Sequence, residues 1–143
     1  MGHNGKPMPA PSTRAFLRRQ LQAHLTQLGY SSARAKRTVK PVPEIIRVNP
    51  VRGRIAYGET VVHRDLRLRR CHERLLSFSQ RRTRHRSSIL FFIGVAEADE
   101  AELRALLEAL DICNGTRGGH VHVVPIAPPV AGPKRGTPGT ERG

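Results

Sequence analysis

The segment 88–96, SILFFIGVA, is the longest apolar run in the chain, and apolar and polar residues do not alternate along it. A strand with one face in water alternates, so a run that does not must be covered on both faces. Such a strand belongs in the middle of a sheet with other structure packed above and below. It is far short of the ~20 apolar residues that span a bilayer, so it predicts no membrane segment. The chain has 143 residues, enough for one domain and too few for two.

The flanking sequence supplies the elements that this strand needs. Ser12 or Thr13 can cap a helix carrying Phe16, Leu17, Leu21, Leu25 and Leu28 at helical spacing and stopping at Gly29. The polar, basic stretch SARAKRTVK then reads as an exposed edge strand before Pro41. PEIIRVN, the turn PVRG and RIAYGETVV form a hairpin, with Glu44 opening one arm and Glu59 in the middle of the other. Asp65 is expected to cap a second helix whose apolar side is Leu68, Cys71, Leu75 and Phe78, leaving Arg67, Arg69, Arg70 and Arg74 mostly outward. QRRTRHR connects it to the apolar strand. EADEAELRALLEALDI is a helix with Leu103, Leu106, Leu107 and Leu110 in one stripe, and HVHVVPI is a last strand.

The expected fold class is therefore α/β, in the order α-β-β-β-α-β-α-β, with a mixed central sheet flanked by helices in a single domain over 12–126. Residues 1–11 and 127–143, rich in Pro and Gly, are expected to be disordered tails. With two cysteines, no secretory signal and no membrane helix, the expected location is cytoplasmic with free thiols.

Lys and Arg total 25 against 11 Asp and Glu, a net charge of +14. The excess is uneven. Residues 1–86 hold 20 basic and 4 acidic side chains, while 87–143 hold 5 and 7. An acidic-tail protein or an enzyme for a neutral small molecule fits this poorly, and a polyanion fits well. Because 21 of the 25 are Arg, a codon bias that inflates a solvated helix face is the competing explanation. Arg64, Arg67, Arg70, Arg74, Arg81, Arg82, Arg84 and Arg86 are dense enough to follow a phosphate backbone. Only Tyr30 and Tyr57 are candidates for base stacking, which favours backbone contacts over a stacking platform.

With only Glu44, Glu59, Asp65 and Glu73 as acids in the basic half, Glu44 and Glu59 stand out as carboxylates on adjoining strands. Such a pair can share Mg²⁺, which activates water and neutralises a phosphodiester, or can simply pair with arginines. His63, Cys71, His72, His120 and His122 offer a zinc alternative, but no paired ligand spacing supports it. There is no phosphate-binding glycine loop and no nucleophile elbow.

The stretch from Leu17 to Val62, including VKPVPEIIRVNPVRGRIAYGETVV, resembles the core of the PD-(D/E)XK nuclease-like superfamily. In that family a helix ending in Gly-Tyr precedes a strand, Pro-Asp opens the next strand, and acid-x-Lys lies on the third. Here Pro43-Glu44 and Glu59-Thr60-Val61 occupy those places, and RDL…ERLLSFSQ is similar to the helix behind the sheet. The resemblance implies a restriction-endonuclease-like fold, metal ligation by Glu44 and Glu59, and Mg²⁺-dependent hydrolysis of DNA, with DNA favoured over RNA as partner. Two departures matter: Glu replaces Asp, and Val61 replaces the Lys that positions the water and the scissile phosphate, a task valine cannot perform. A cation from elsewhere, such as Arg64 or one on the second helix, would have to replace it. Otherwise the chain is a catalytically inactive DNA- or RNA-binding module that uses its basic helix and loop.

Overall fold

The computed structural model describes residues 12–32, 40–81, 89–112 and 120–129. Thr13 starts the first helix, its hydroxyl accepting a hydrogen bond from the Phe16 N–H at 3.1 Å. Helix α1, Arg14–Gln27, buries Leu17, Leu21 and Leu25 on one stripe, whereas Leu28 at its end is 47% exposed.

Five strands form one mixed sheet in the order in which they occur in the chain: β1 Ser31–Ser32, β2 Ile45–Asn49, β3 Arg54–Val61, β4 Leu90–Ala96 and β5 Val121–Ile126. β1 pairs with β2 and β2 with β3 antiparallel, with Ile45 opposite Gly58 in the hairpin. β3, β4 and β5 run parallel. Helix α2, Arg69–Gln80, links β3 to β4, and helix α3, Glu100–Ala109, links β4 to β5. The element order expected from the sequence is thus observed. β1 is an edge strand of two residues, and residues 33–39 of the predicted edge strand lie outside the described residues.

The run in β4 explains the layering. Phe91, Ile93 and Val95 join Tyr57 and Val61 under Leu75 and Phe78 of α2 and Leu103 and Leu107 of α3. Phe92 points the other way, into a second core with Leu21, Leu25, Tyr30, Ile45 and Ala56 under α1. Helix α1 lies close to the sheet because two strand residues opposite it lack side chains. A Cβ on Gly58 would sit 3.0 Å from Ile45 Cβ and 3.2 Å from Leu21 Cδ2, and one on Gly94 3.3 Å from Leu21 Cβ. Gly58→Ala should therefore destabilise the fold by about 1–3 kcal/mol, because the helix must move outward. Chemical denaturation would show it, and an unchanged midpoint would mean that α1 has room to spare.

Asp65 does not cap α2. A 3-10 turn, His63–Arg67, intervenes, and α2 starts after Leu68 with no side-chain cap. The Asp65 carboxylate instead accepts from the Val62 N–H at 3.0 Å and from Arg14 at 2.7 Å. The break also leaves Leu68, expected on the apolar side of the helix, 46% exposed.

Candidate functional site: an arginine-lined cavity at the end of the hairpin

Where β3 leaves the sheet, a cavity of about 520 Å³ opens between the start of α1 and the start of α2. Its charged lining is Arg14, Arg18, Arg70 and Arg74 against Glu44, Glu59 and Asp65. Glu44 and Glu59, expected to share a cation, both line this cavity, for a simple reason. Glu44 immediately precedes β2 and Glu59 lies one residue beyond the Ile45–Gly58 register pair, so the ladder sets them side by side. The Glu44 N–H donates to Glu59 Oε2 at 2.7 Å.

The two carboxyl groups then turn to different partners. Glu59 and Thr60 are successive strand residues and point to opposite faces of the sheet. Glu59 faces α2, where Arg74 grips it with two bonds, Nε to Oε1 at 3.0 Å and Nη2 to Oε2 at 2.8 Å. Glu44 faces α1. Its Oε1 accepts from the Thr60 N–H at 2.6 Å and from Thr60 Oγ1 at 2.7 Å, and its Oε2 accepts from Arg18 at 2.7 Å. Arg14 completes the circuit, donating to Thr60 O at 2.9 Å and to Asp65 Oδ2 at 2.7 Å.

This donor set does not fit a resident Mg²⁺. A hard divalent cation needs several oxygens free to ligate it, and here each of the four carboxylate oxygens of Glu44 and Glu59 already accepts from a guanidinium or from an N–H or O–H group. Arginines on two helices bring positive charge to both carboxylates, Arg18 of α1 to Glu44 and Arg74 of α2 to Glu59. Val61 is 1% exposed and lies in the apolar core. A separate donor cluster exists among the described residues: His63, Asp99 and Glu102 offer ligand atoms within 4.8 Å of one another. There His63 Nδ1 lies 2.8 Å from Asp99 Oδ1, within hydrogen-bond distance near the surface.

Several arginines are not where their helical positions suggested. Arg74, read as mostly outward, turns inward because buried Glu59 lies within its reach and Val42 O accepts a further bond at 2.9 Å. Arg81, expected on a phosphate-tracking surface, donates to Pro41 O at 2.7 Å and lies 4.9 Å from the centre of the Phe78 ring. Arg64, Arg67 and Arg70 are exposed as expected, and none makes an ion pair among the described residues. Arg82, Arg84 and Arg86 lie outside the described residues. Arg14, Arg18 and Thr60 were missed, although two arginines four apart on the flank of the Leu17/Leu21/Leu25 stripe are a signal for a pair reaching round one side of the helix. Among the described residues His63, Cys71, His72, His120 and His122 do not come together as one ligand group: His63 contacts Asp99, His72 contacts Leu66 O and His120 contacts Ser79 O.

The two acids differ in acidity. Burial pushes the Glu44 carboxyl up, but the bonds from Arg18 and Thr60 together outweigh it and hold it below the ordinary carboxylate range. For Glu59 burial wins over Arg74 and the Glu44 N–H, and its carboxyl is raised. Glu44 therefore contributes stability above its unfolded value that is lost as the pH falls through its folded one. Glu59 does the reverse: its contribution is complete in acid and is lost as the pH rises through its folded value. Between about pH 7 and about pH 4, Glu44→Gln should flatten the loss of stability and Glu59→Gln should steepen it. Denaturation midpoints across that range would check this, and changes of the same sign would contradict it.

No protein-family model, curated protein or solved structure matches the chain.

Proposed function

We propose that the chain is a nucleic-acid-binding domain of nuclease-like fold that grips the phosphate backbone with arginines and does not cleave it. The observation that carries this reading is a division of labour among the arginines. Arg14, Arg18 and Arg74 are committed to the acids in and around the cavity, whereas Arg64, Arg67 and Arg70, beside the cavity-lining Asp65 and Leu68, have no acidic partner among the described residues. Arg70 lines the cavity and Arg64 and Arg67 are exposed just before it in the chain, and such unpaired guanidiniums suit phosphate oxygens, which they can meet with paired donors. The element order and the meeting of Glu44 and Glu59 support kinship with the nuclease-like family. Val61 and the guanidinium-bound carboxylates argue for the inactive branch of it. Both tyrosines are 6% exposed, so duplex DNA, read through its backbone, is the favoured partner over a splayed single strand at this cavity.

The test is binding to a duplex of arbitrary sequence over a range of salt. Log affinity should fall linearly with log salt, and replacing Arg64, Arg67 and Arg70 by Ala should weaken binding to unrelated sequences equally and reduce the slope by about 3, at roughly 0.9 per phosphate contact. An unchanged slope would remove the phosphate reading. Plasmid incubated with Mg²⁺ or Mn²⁺ should stay intact, and metal-dependent cutting that disappears in Glu44→Gln would make the chain a hydrolase.

A further inference from the structure

A second cavity, of about 720 Å³, lies on the α1 face near the opposite end of that helix. It is built from different chemistry. Its lining includes no carboxylate, and it joins a ring-lined floor to a cationic rim: His24, Tyr30, Phe92 and His122 on one side, Arg52 and Arg54 on the other. The volume falls within the usual range for small-molecule sites.

The rings form one cluster centred on Phe92. His122 lies nearly parallel to Phe92, 20° between planes and 5.0 Å between centroids, while His24 and Tyr30 meet Phe92 edge-on at 6.2 Å. Phe92 is 5% exposed, so the accessible aromatic surface is that of the half-buried histidines. β5 is the edge of the sheet, and no strand among the described residues covers the outer face of His122. The rim is held by a rigid turn. Asn49 Oδ1 accepts from the Val51 and Arg52 N–H groups at 3.0 and 3.1 Å, and Gly53 takes the φ of +64° that closes the turn. Arg52 and Arg54 flank that glycine, both exposed, and neither guanidinium has a hydrogen-bond or ion-pair partner among the described residues. Their charge is nevertheless felt inside: burial raises the Tyr30 hydroxyl, and Arg54 and Arg52 pull it back.

A flat ring surface with apolar neighbours, next to two uncompensated cations and no acid, calls for a ligand with a planar face and an anionic end. We propose that this cavity binds a nucleotide, its base stacked on His122 and its phosphate held by Arg52 and Arg54. The ligand can be a free mononucleotide or the terminal nucleotide of a strand, since both present the same base and phosphate. A site for the second kind would add end recognition to the backbone grip proposed for the first cavity, while the free-nucleotide case stands without it.

The experiment is titration of the isotopically labelled full chain with AMP, adenosine, inorganic phosphate and a 5′-phosphorylated single-stranded oligonucleotide, read by NMR. AMP should shift resonances of His122, His24, Arg52 and Arg54, and it should bind at least about tenfold tighter than phosphate or adenosine. His122→Ala should weaken AMP about tenfold, and so should Arg52→Glu, an exposed change that leaves the fold intact. An oligonucleotide that AMP displaces identifies a strand end as the source, and binding of AMP without the oligonucleotide identifies a free nucleotide. Phosphate binding as tightly as AMP, AMP affinity indifferent to His122→Ala and Arg52→Glu, or no binding in any arm overturns the proposal. The variant lacking Arg64, Arg67 and Arg70 should keep AMP binding. Failure of the duplex grip is thereby separated from failure of this site, and loss of AMP in that variant would overturn the second location.

Discussion

Glu59→Ala should cost about 3 kcal/mol of stability, because it removes one partner of a buried ion pair and strands the other. Glu59 is 5% exposed and receives both Arg74 donors and the Glu44 N–H. After the change Arg74 would keep Val42 O and the face of the Phe78 ring, and the Glu44 N–H would lose its acceptor. Arg74 retains 29% of its side-chain surface in solvent, so water can partly rescue it, which places the cost at the low end for such a loss. In a domain of this size the melting temperature should fall by roughly 10–20 °C. The double change Glu59→Leu with Arg74→Met should recover most of the loss, since two apolar residues need no counter-charge. Thermal unfolding followed by circular dichroism would measure both. A single variant as stable as the wild type would show that the pair is incidental, and a double variant no better than Glu59→Ala would show that the two residues are not coupled.

The second large effect is expected at Phe78. Its ring has no exposed surface and meets Tyr57 and Phe91 edge-on at 5.9 and 5.7 Å, with the guanidiniums of Arg74 and Arg81 5.0 and 4.9 Å from its centre. Phe78→Ala should cost about 4 kcal/mol through lost burial and the void left behind. The same change loosens both arginines, so the site should suffer along with the core. Denaturant midpoints for Phe78→Ala and Phe78→Leu should fall in that order of severity, and a loss below about 1 kcal/mol for the alanine variant would mean that the core closes over the gap.

The features legible in the sequence were those written in a period. The unalternating run of β4, the leucine stripes of α1 and α3 and the β2–β3 hairpin each bury a face whose spacing is visible along the chain. The hairpin put Glu44 and Glu59 on adjoining arms, while the register that sets them side by side is a property of the folded ladder. The fates of Arg74 and Arg81 were not legible, because a long cationic side chain follows whatever acid, carbonyl or ring lies across the sheet, and that neighbour is tens of residues away in the chain. The start of α2 was missed for a local reason. Asp65 has the chemistry of a cap, but Arg14 and the Val62 N–H compete for its carboxylate, and a 3-10 turn fills the gap.

In this sheet the spatial sequence of strands repeats the chain sequence, and that has a consequence for assembly. Each strand is laid against an edge that its predecessor has just provided, so no strand has to be inserted between two already in place. A chain emerging from its N-terminus would carry a single growing edge at every stage, first at β2, then at β3, then at β4. The last addition, β5, brings Pro125 into the ladder, and a residue without an N–H makes a poor template for another strand. Among the described strands, the exposed edge of β5 thus carries a residue that discourages pairing with a further strand, such as one from a second copy.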